Sequence, residues 1–81
     1  MSEEVTVDAR GLRCPMPVIR LARAVRGLPE GVIVTVLATD PAARHDVPAW
    51  ARMRGHAVCD VEDADEGVTA ISVRLGGGTT P

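Results

Sequence analysis

One stretch carries chemistry on its face. At Cys14-Pro15-Met16-Pro17 a cysteine stands directly before two prolines, and an amphipathic helical pattern follows at once. Proline is favoured in the first helical turn, where its missing N–H would have had no partner. The spacing therefore predicts Cys14 at the N-cap, Pro15 at the first helical position and Pro17 at the third. A thiol there sits at the positive end of the helix dipole, which favours the thiolate. Helix N-termini are among the sites that depress cysteine pKa, to roughly 3.5–7.5 across known cases. Pro17 removes one N–H that a capping side chain would use, so the Met16 N–H is the expected local donor to the sulfur. Arg13 adds positive charge, and the two rings make the mount stiff. A lone cysteine is ordinarily a small buried apolar residue. Cys-Pro-x-Pro opening a helix points instead to a presented nucleophile.

The elements that must hold this stretch read as follows. Val5-Thr6-Val7 alternates, predicting a short strand at about residues 4–8. From Pro15 to about Arg26 the period is helical, with Val18, Leu21, Ala22 and Val25 on one face. Arg20, Arg23 and Arg26 form a stripe on another face. Such a stripe is commonly a solvated surface; its functional reading is a docking face for an acidic partner, with Arg20 and Arg23 nearest Cys14. Gly27 ends the helix, and Val32 to Thr39 is a β-branched run that reads as a central strand parallel to the first. Asp40-Pro41 reads as an N-cap and first-position proline pair opening a second helix that runs to about Arg54, with an interruption expected at Asp46-Val47 before Pro48, where Asp46 can cap the renewed segment. Gly55 closes it. His56 to Glu62 and Val68 to Leu75 then make a hairpin across a polar loop. The order is β-α-β-α-β-β, an α/β (α+β) two-layer sandwich with a four-stranded mixed sheet and two helices on one face. Residues 1–75 are read as one domain and residues 76–81 as a flexible tail.

Composition narrows the function. Eighty-one residues carry a net charge of −2, and Trp50 is the only aromatic residue of the Phe, Trp and Tyr class. That balance argues against direct nucleic-acid binding, which needs a basic face and aromatic stacking platforms. All nine basic residues are arginine. Without lysine there is no ordinary Schiff-base lysine, which excludes pyridoxal-dependent catalysis. Two cysteines are no disulfide framework, the acidic N-terminus is no signal peptide, and no apolar run could span a membrane. A cytoplasmic location follows as the expectation.

Other constellations are weaker. Cys59 lies mid-strand and reads as a small packing residue, with a resolving partner for Cys14 as its functional alternative. Cys14, Cys59, His45 and His56 lack metal-ligand spacing, so no metal site is expected. His45-Asp46 invites a Cys-His-Asp triad, but no complete hydrolase signature is present. Gly76-Gly77-Gly78 is followed by Thr79-Thr80-Pro81, so it offers no terminal glycine carboxylate.

Two separated segments match a known pattern. Leu12-Arg13-Cys14-Pro15-Met16-Pro17, preceded by Asp8 and Gly11, resembles the signature of the TusA/SirA/YedF family of small sulfur carriers. Asp40-Pro41-Ala42 followed by Asp46-Val47-Pro48 resembles that family's Asp-Pro-Ala…Asp-Ile-Pro segment at the second helix. The resemblance covers roughly residues 5–75. It implies the same sandwich and a sulfurtransferase role, with Cys14 carrying sulfur as a persulfide and no cofactor. Its partners would be a cysteine desulfurase or rhodanese-like donor and an acceptor sulfurtransferase, serving tRNA thiolation, molybdenum-cofactor or sulfur metabolism. Arg13, Pro15, Met16 and Pro17 would support the cysteine. Met16 departs from the acid of the tRNA-thiolation members, and His45 from their arginine, which points to a different partner. The alternative from another class is a regulatory or protein/RNA-binding module in which Cys14 carries no sulfur.

Overall fold

Alternating strand and helix patterns fold in the order in which they occur. The computed structural model describes residues 4–76. They form β1 (Glu4–Ala9), α1 (Met16–Ala24), β2 (Ile33–Ala38), α2 (Ala43–Met53), β3 (Ala57–Asp63), a 3-10 turn (Asp65–Gly67) and β4 (Thr69–Arg74). The sheet order is β1-β2-β4-β3. β1 and β2 are parallel, while β4 runs antiparallel to both β2 and β3. The architecture is the four-stranded mixed sheet with two helices read from the sequence.

Strand alternation decides which face is covered. Val7 and Ala9 of β1, Val34, Val36 and Ala38 of β2, and Ile71 and Val73 of β4 are buried and share one face by register. Leu21 of α1 and Val47, Trp50 and Ala51 of α2 close over them. Because the core lacks Phe and Tyr, its thickness comes from branched aliphatic side chains and the one indole. The opposite face carries Thr6, Thr35 and Ser72, and the Thr35 and Ser72 hydroxyls hydrogen-bond at 2.9 Å between β2 and β4.

Two expectations fail in α2. The helix is continuous through Asp46-Val47, with Pro48 inside it. Pro48 forfeits one intrahelical donor, and the burial of Val47, Trp50 and Ala51 on either side holds the axis. Asp46 therefore caps nothing and stands in the first turn of an unbroken helix. Asp40 is also not the N-cap, which is Ala42; the Asp40 carboxylate instead accepts the Ala42 N–H at 3.0 Å.

Gly55 ends α2 as expected, at φ +76°. Its N–H bonds the Arg52 carbonyl and the His56 N–H bonds the Ala51 carbonyl, the paired closure that a left-handed residue permits. That closure places His56 directly beyond the helix. Of the tail expected at 76–81, residues 77–81 lie outside the described residues. Among the described residues no helix is long and apolar enough to cross a membrane.

Candidate functional site

Cys14 lies between the end of β1 and the start of α1, one residue further from the helix than its spacing suggests. Pro15 is the N-cap, Met16 is the first helical residue and Pro17 is the second. The Cys14–Pro15 peptide bond is cis. Two long-range bonds anchor the loop. The Gly11 N–H donates to the Thr39 hydroxyl at 2.8 Å, and the Cys14 N–H donates to Asp40 Oδ2 at 2.8 Å. Gly11 has φ +81°, a conformation that a side chain would strain. Upstream, Arg10 clasps the Asp8 carboxylate through its backbone N–H and its guanidinium. Those hydrogen bonds lower the Asp8 pKa to about 2.

The sulfur's surroundings differ from the expected anion cradle. Pro15 and Pro17 have no N–H, and the Met16 N–H donates to the Arg13 carbonyl at 2.8 Å. The first helical turn therefore has little to offer a thiolate. Cys14 is half-buried against the core. Burial first, then the facing Asp46 carboxylate and the charge of Asp40, push its thiol up to about 11. The dipole-lowered pKa expected from sequence is thus reversed. The charge of Arg13 falls on Asp40 instead: the carboxylate is held below its usual range chiefly by the Cys14 and Ala42 N–H groups, with Arg13 contributing.

The other residues singled out by sequence are placed as follows. Pro17 is fully buried and pins the helix start to the core, whereas Pro15 and Arg13 are exposed. Met16 is 41% exposed beside the cysteine. Arg20 and Arg23 are exposed on α1, and the charge of Arg20 reaches Asp8. Between the two helices runs an apolar groove lined by Pro15, Val18, Asp46, Ala49, Trp50 and Met53. Met53 at its edge is 82% exposed. His45 is exposed in the first turn of α2.

Cys59 is not the packed strand residue expected. It is exposed, at a register irregularity of β3 between Val58 and Asp60, with Sγ 3.4 Å from the Ser72 carbonyl. β3 pairs at Asp63 with the end of β4 that meets Ala38, and Cys59 lies four residues back along β3. At about 3.3 Å per residue that is about 13 Å from the cysteine end of the sheet, against the roughly 7 Å that a disulfide tolerates.

Asp40 and Asp46 were legible as parts of a motif but not as groups facing the thiol. The signal was their recurrence with Pro41 and Pro48 in one segment; capping offered a sufficient local explanation for both.

Comparison with known proteins agrees in sequence and in fold. A family model described as sulfurtransferase TusA matches residues 5–75. The sulfur carrier protein TusA of Pseudomonas syringae pv. syringae is 42% identical over 76 residues, covering 89% of this chain and 89% of its own. The sulfur carrier protein TusA of Pseudomonas fluorescens is 40% identical over 63 residues, covering 78% of this chain and 76% of its own. The crystal structure of a SirA-like protein from Desulfitobacterium hafniense matches with a TM-score of 0.78 at 32% identity, across 93% of this chain and 99% of that one.

Proposed function

The chain belongs to the TusA family of sulfur carriers, and from that premise we propose that it relays sulfur as a persulfide on Cys14. The observation that supports this most is a free, half-buried cysteine held by its backbone N–H on Asp40 at 2.8 Å, at the start of α1 and at the edge of an apolar groove that Pro15 and Asp46 line. A thiol at about 11 is inert towards adventitious oxidants at neutral pH, because the thiolate is the reactive form. It becomes a nucleophile only when its proton leaves in the complex with a partner.

In the proposed step Asp46 takes the Cys14 proton. The thiolate attacks the outer sulfur of a donor persulfide, R–S–SH. The new Cys14 Sγ–S bond forms as the donor S–S bond breaks, and the donor leaves as a thiolate that receives the proton. The products are Cys14–S–SH and R–SH, with no net oxidation. This is thiol–disulfide exchange in form. The donor is a cysteine desulfurase or a rhodanese-like protein, and an acceptor sulfurtransferase then removes the outer sulfur by the same exchange. Arg13 and Asp40 fix the loop, Pro15 and Pro17 fix the helix start, and Met16 with the groove to Met53 gives partners an apolar contact. Arg20 and Arg23 steer a partner with an acidic surface. Residues 1–75 act as one unit, and the work is done in the cytoplasm, where a free thiol stays reduced.

The test is intact-mass analysis after incubation with a cysteine desulfurase and cysteine, and separately with a rhodanese-like donor. A reducible gain of one sulfur on the wild type, absent from Cys14→Ser and retained by Cys59→Ser, is the expected result. Loading of Cys14→Ser, or no loading from either donor class while Cys14 remains alkylatable, overturns the reading.

A further inference from the structure

The apolar groove between the helices has a length and a direction. It holds about 320 Å³ and is lined by Pro15 and Val18 at the start of α1 and by Asp46, Ala49, Trp50 and Met53 of α2. Those four α2 residues recur at helical spacing, so they form one stripe. Asp46, which faces the Cys14 sulfur, is one end of the stripe. Met53 is the other, about 10 Å away at 1.5 Å per residue. Of the lining residues Asp46 alone is charged. Val18 and Ala49 are half-buried, Trp50 is almost covered, and Met53 is 82% exposed. Exposed apolar residues scattered singly are ordinary. Met53 is not single, because it continues an apolar floor that starts beside the cysteine.

The reading of Cys14 as a persulfide carrier, on which this inference rests, limits what can cover that floor. Transfer brings the partner's sulfur to bonding distance of Cys14 Sγ. The residues flanking the partner's cysteine must then lie against the surface around Cys14. In an extended segment residues advance about 3.3 Å each, and those two apart project to the same side. The residue two positions from the partner's cysteine therefore comes down about 7 Å from the sulfur, within the length of the groove. A charged side chain seated there would lose water and meet no countercharge. An apolar one would be covered by Val18, Trp50 and Met53, and the flexible thioether of Met53 can close over side chains of different shape. A second copy of this chain cannot supply the segment, because its own cysteine is bonded into a loop that runs directly into α1.

We propose that the groove seats an extended stretch of the sulfur-exchanging partner, with an apolar side chain two positions from the partner's reactive cysteine packed between Val18, Trp50 and Met53. The groove thereby selects partners by the residue that flanks their persulfide.

The test uses the Cys59→Ser chain and short synthetic peptides, blocked at both ends, with a central cysteine persulfide among glycines. Leucine or aspartate replaces the glycine two positions before or two positions after the cysteine. The bond that forms joins Cys14 Sγ to the outer sulfur, the peptide S–S bond breaks, and the peptide leaves as its thiol with no net oxidation. Intact mass follows the loading. Leucine at one of the two positions should raise the second-order rate constant about tenfold over glycine, as partial cover of its side chain implies, and aspartate there should give no gain. A segment that runs one way along the groove favours only one of the two positions. In Met53→Glu, at a position exposed enough to leave the fold intact, and in Ala49→Leu, which fills the floor, the ratio of leucine to glycine rates should fall to near one. Equal rates for leucine and glycine, equal gains at both positions, or a leucine preference that persists in both variants overturns the proposal and leaves the carrier reading standing. Failure of inorganic polysulfide and of every peptide to load Cys14 removes the carrier reading, and this proposal with it.

Discussion

The Cys14 backbone N–H donates to Asp40 Oδ2 at 2.8 Å, joining positions 26 residues apart. The other oxygen of the same carboxylate accepts the Ala42 N–H at 3.0 Å. One side chain thus fixes the loop that carries the thiol and the turn that starts α2. Because β1 and β2 are adjacent and parallel, their ends lie side by side, and a short residue after β2 reaches the loop after β1.

Replacing Asp40 by Ala leaves both N–H groups without this acceptor, whereas Asn keeps an oxygen and loses the charge. We expect Asp40→Ala to lower Tm by several degrees, to speed exchange of the Cys14 amide proton and to slow sulfur loading. Asp40→Asn should do each of these less. The pKa of Asp40 is lowered by those two N–H groups, so its stabilising effect is present above the ordinary value of 3.8 and is lost as pH falls through the lowered one. Thermal melts between pH 5 and pH 2 should therefore converge for wild type and Asp40→Ala. Parallel melts across that range would contradict the assignment.

The fold was legible because two periodicities alternate without ambiguity. Val32 to Thr39 is too β-branched for a helix, and Val18, Leu21, Ala22 and Val25 are spaced for nothing else. What escaped were features decided by tertiary context. Pro48 reads locally as a break, yet Val47, Trp50 and Ala51 bury enough surface to carry the helix past it. At the candidate site the cysteine and its prolines were evident, but the state of the thiol was not. Dipole arguments assume free N–H groups at the helix start, and here Pro15 and Pro17 have none and the Met16 N–H is taken by the Arg13 carbonyl. Asp46 faces the sulfur from a different helix, a relation that no local pattern encodes.

Leu21 is, with Ile71, among the largest fully buried side chains of the described residues and sits on α1 seven residues beyond Cys14. Truncation to Ala should cost about 2–5 kcal/mol, the usual range for a core leucine, and in so small a domain that is a large share of total stability. Denaturant midpoints measure it. Sulfur loading measured well below the transition should be affected much less than stability, because the anchors of Cys14 are Asp40 and Pro17. A loss of less than 1 kcal/mol would mean that the aliphatic core is looser than its burial indicates.

Arg20 and Arg23 stand exposed on the helix that begins beside Cys14. If they steer a partner, reversing both to Glu should slow loading by a desulfurase about tenfold or more at low salt, and the deficit should shrink as salt is added. Loading by a small polysulfide, which needs no docking face, should remain unchanged. Equal effects on both donors would place the arginines in the chemistry rather than in recognition.

The Cys14 thiol makes the sharpest test, because removing the charge of Asp46 should have opposite signs in two assays. With its pKa raised to about 11 by burial, Asp46 and Asp40, Cys14 is a protonated thiol at pH 7. In a Cys59→Ser background, alkylation by iodoacetamide should rise about tenfold per pH unit towards that value, following the thiolate fraction. The raised pKa also means that folding stability from this group is intact below the ordinary value of 9.0 and is lost as pH climbs through about 11. Asp46→Asn removes a charge that opposes the thiolate, so the pKa falls and alkylation at fixed pH accelerates, tenfold for each unit regained. Sulfur loading from a persulfide donor should nonetheless slow, because the group that takes the Cys14 proton is gone. If both rates rise together, Asp46 merely suppresses the thiolate and another base serves the transfer. If alkylation is unchanged, the Asp46 carboxylate does not act on the sulfur at all.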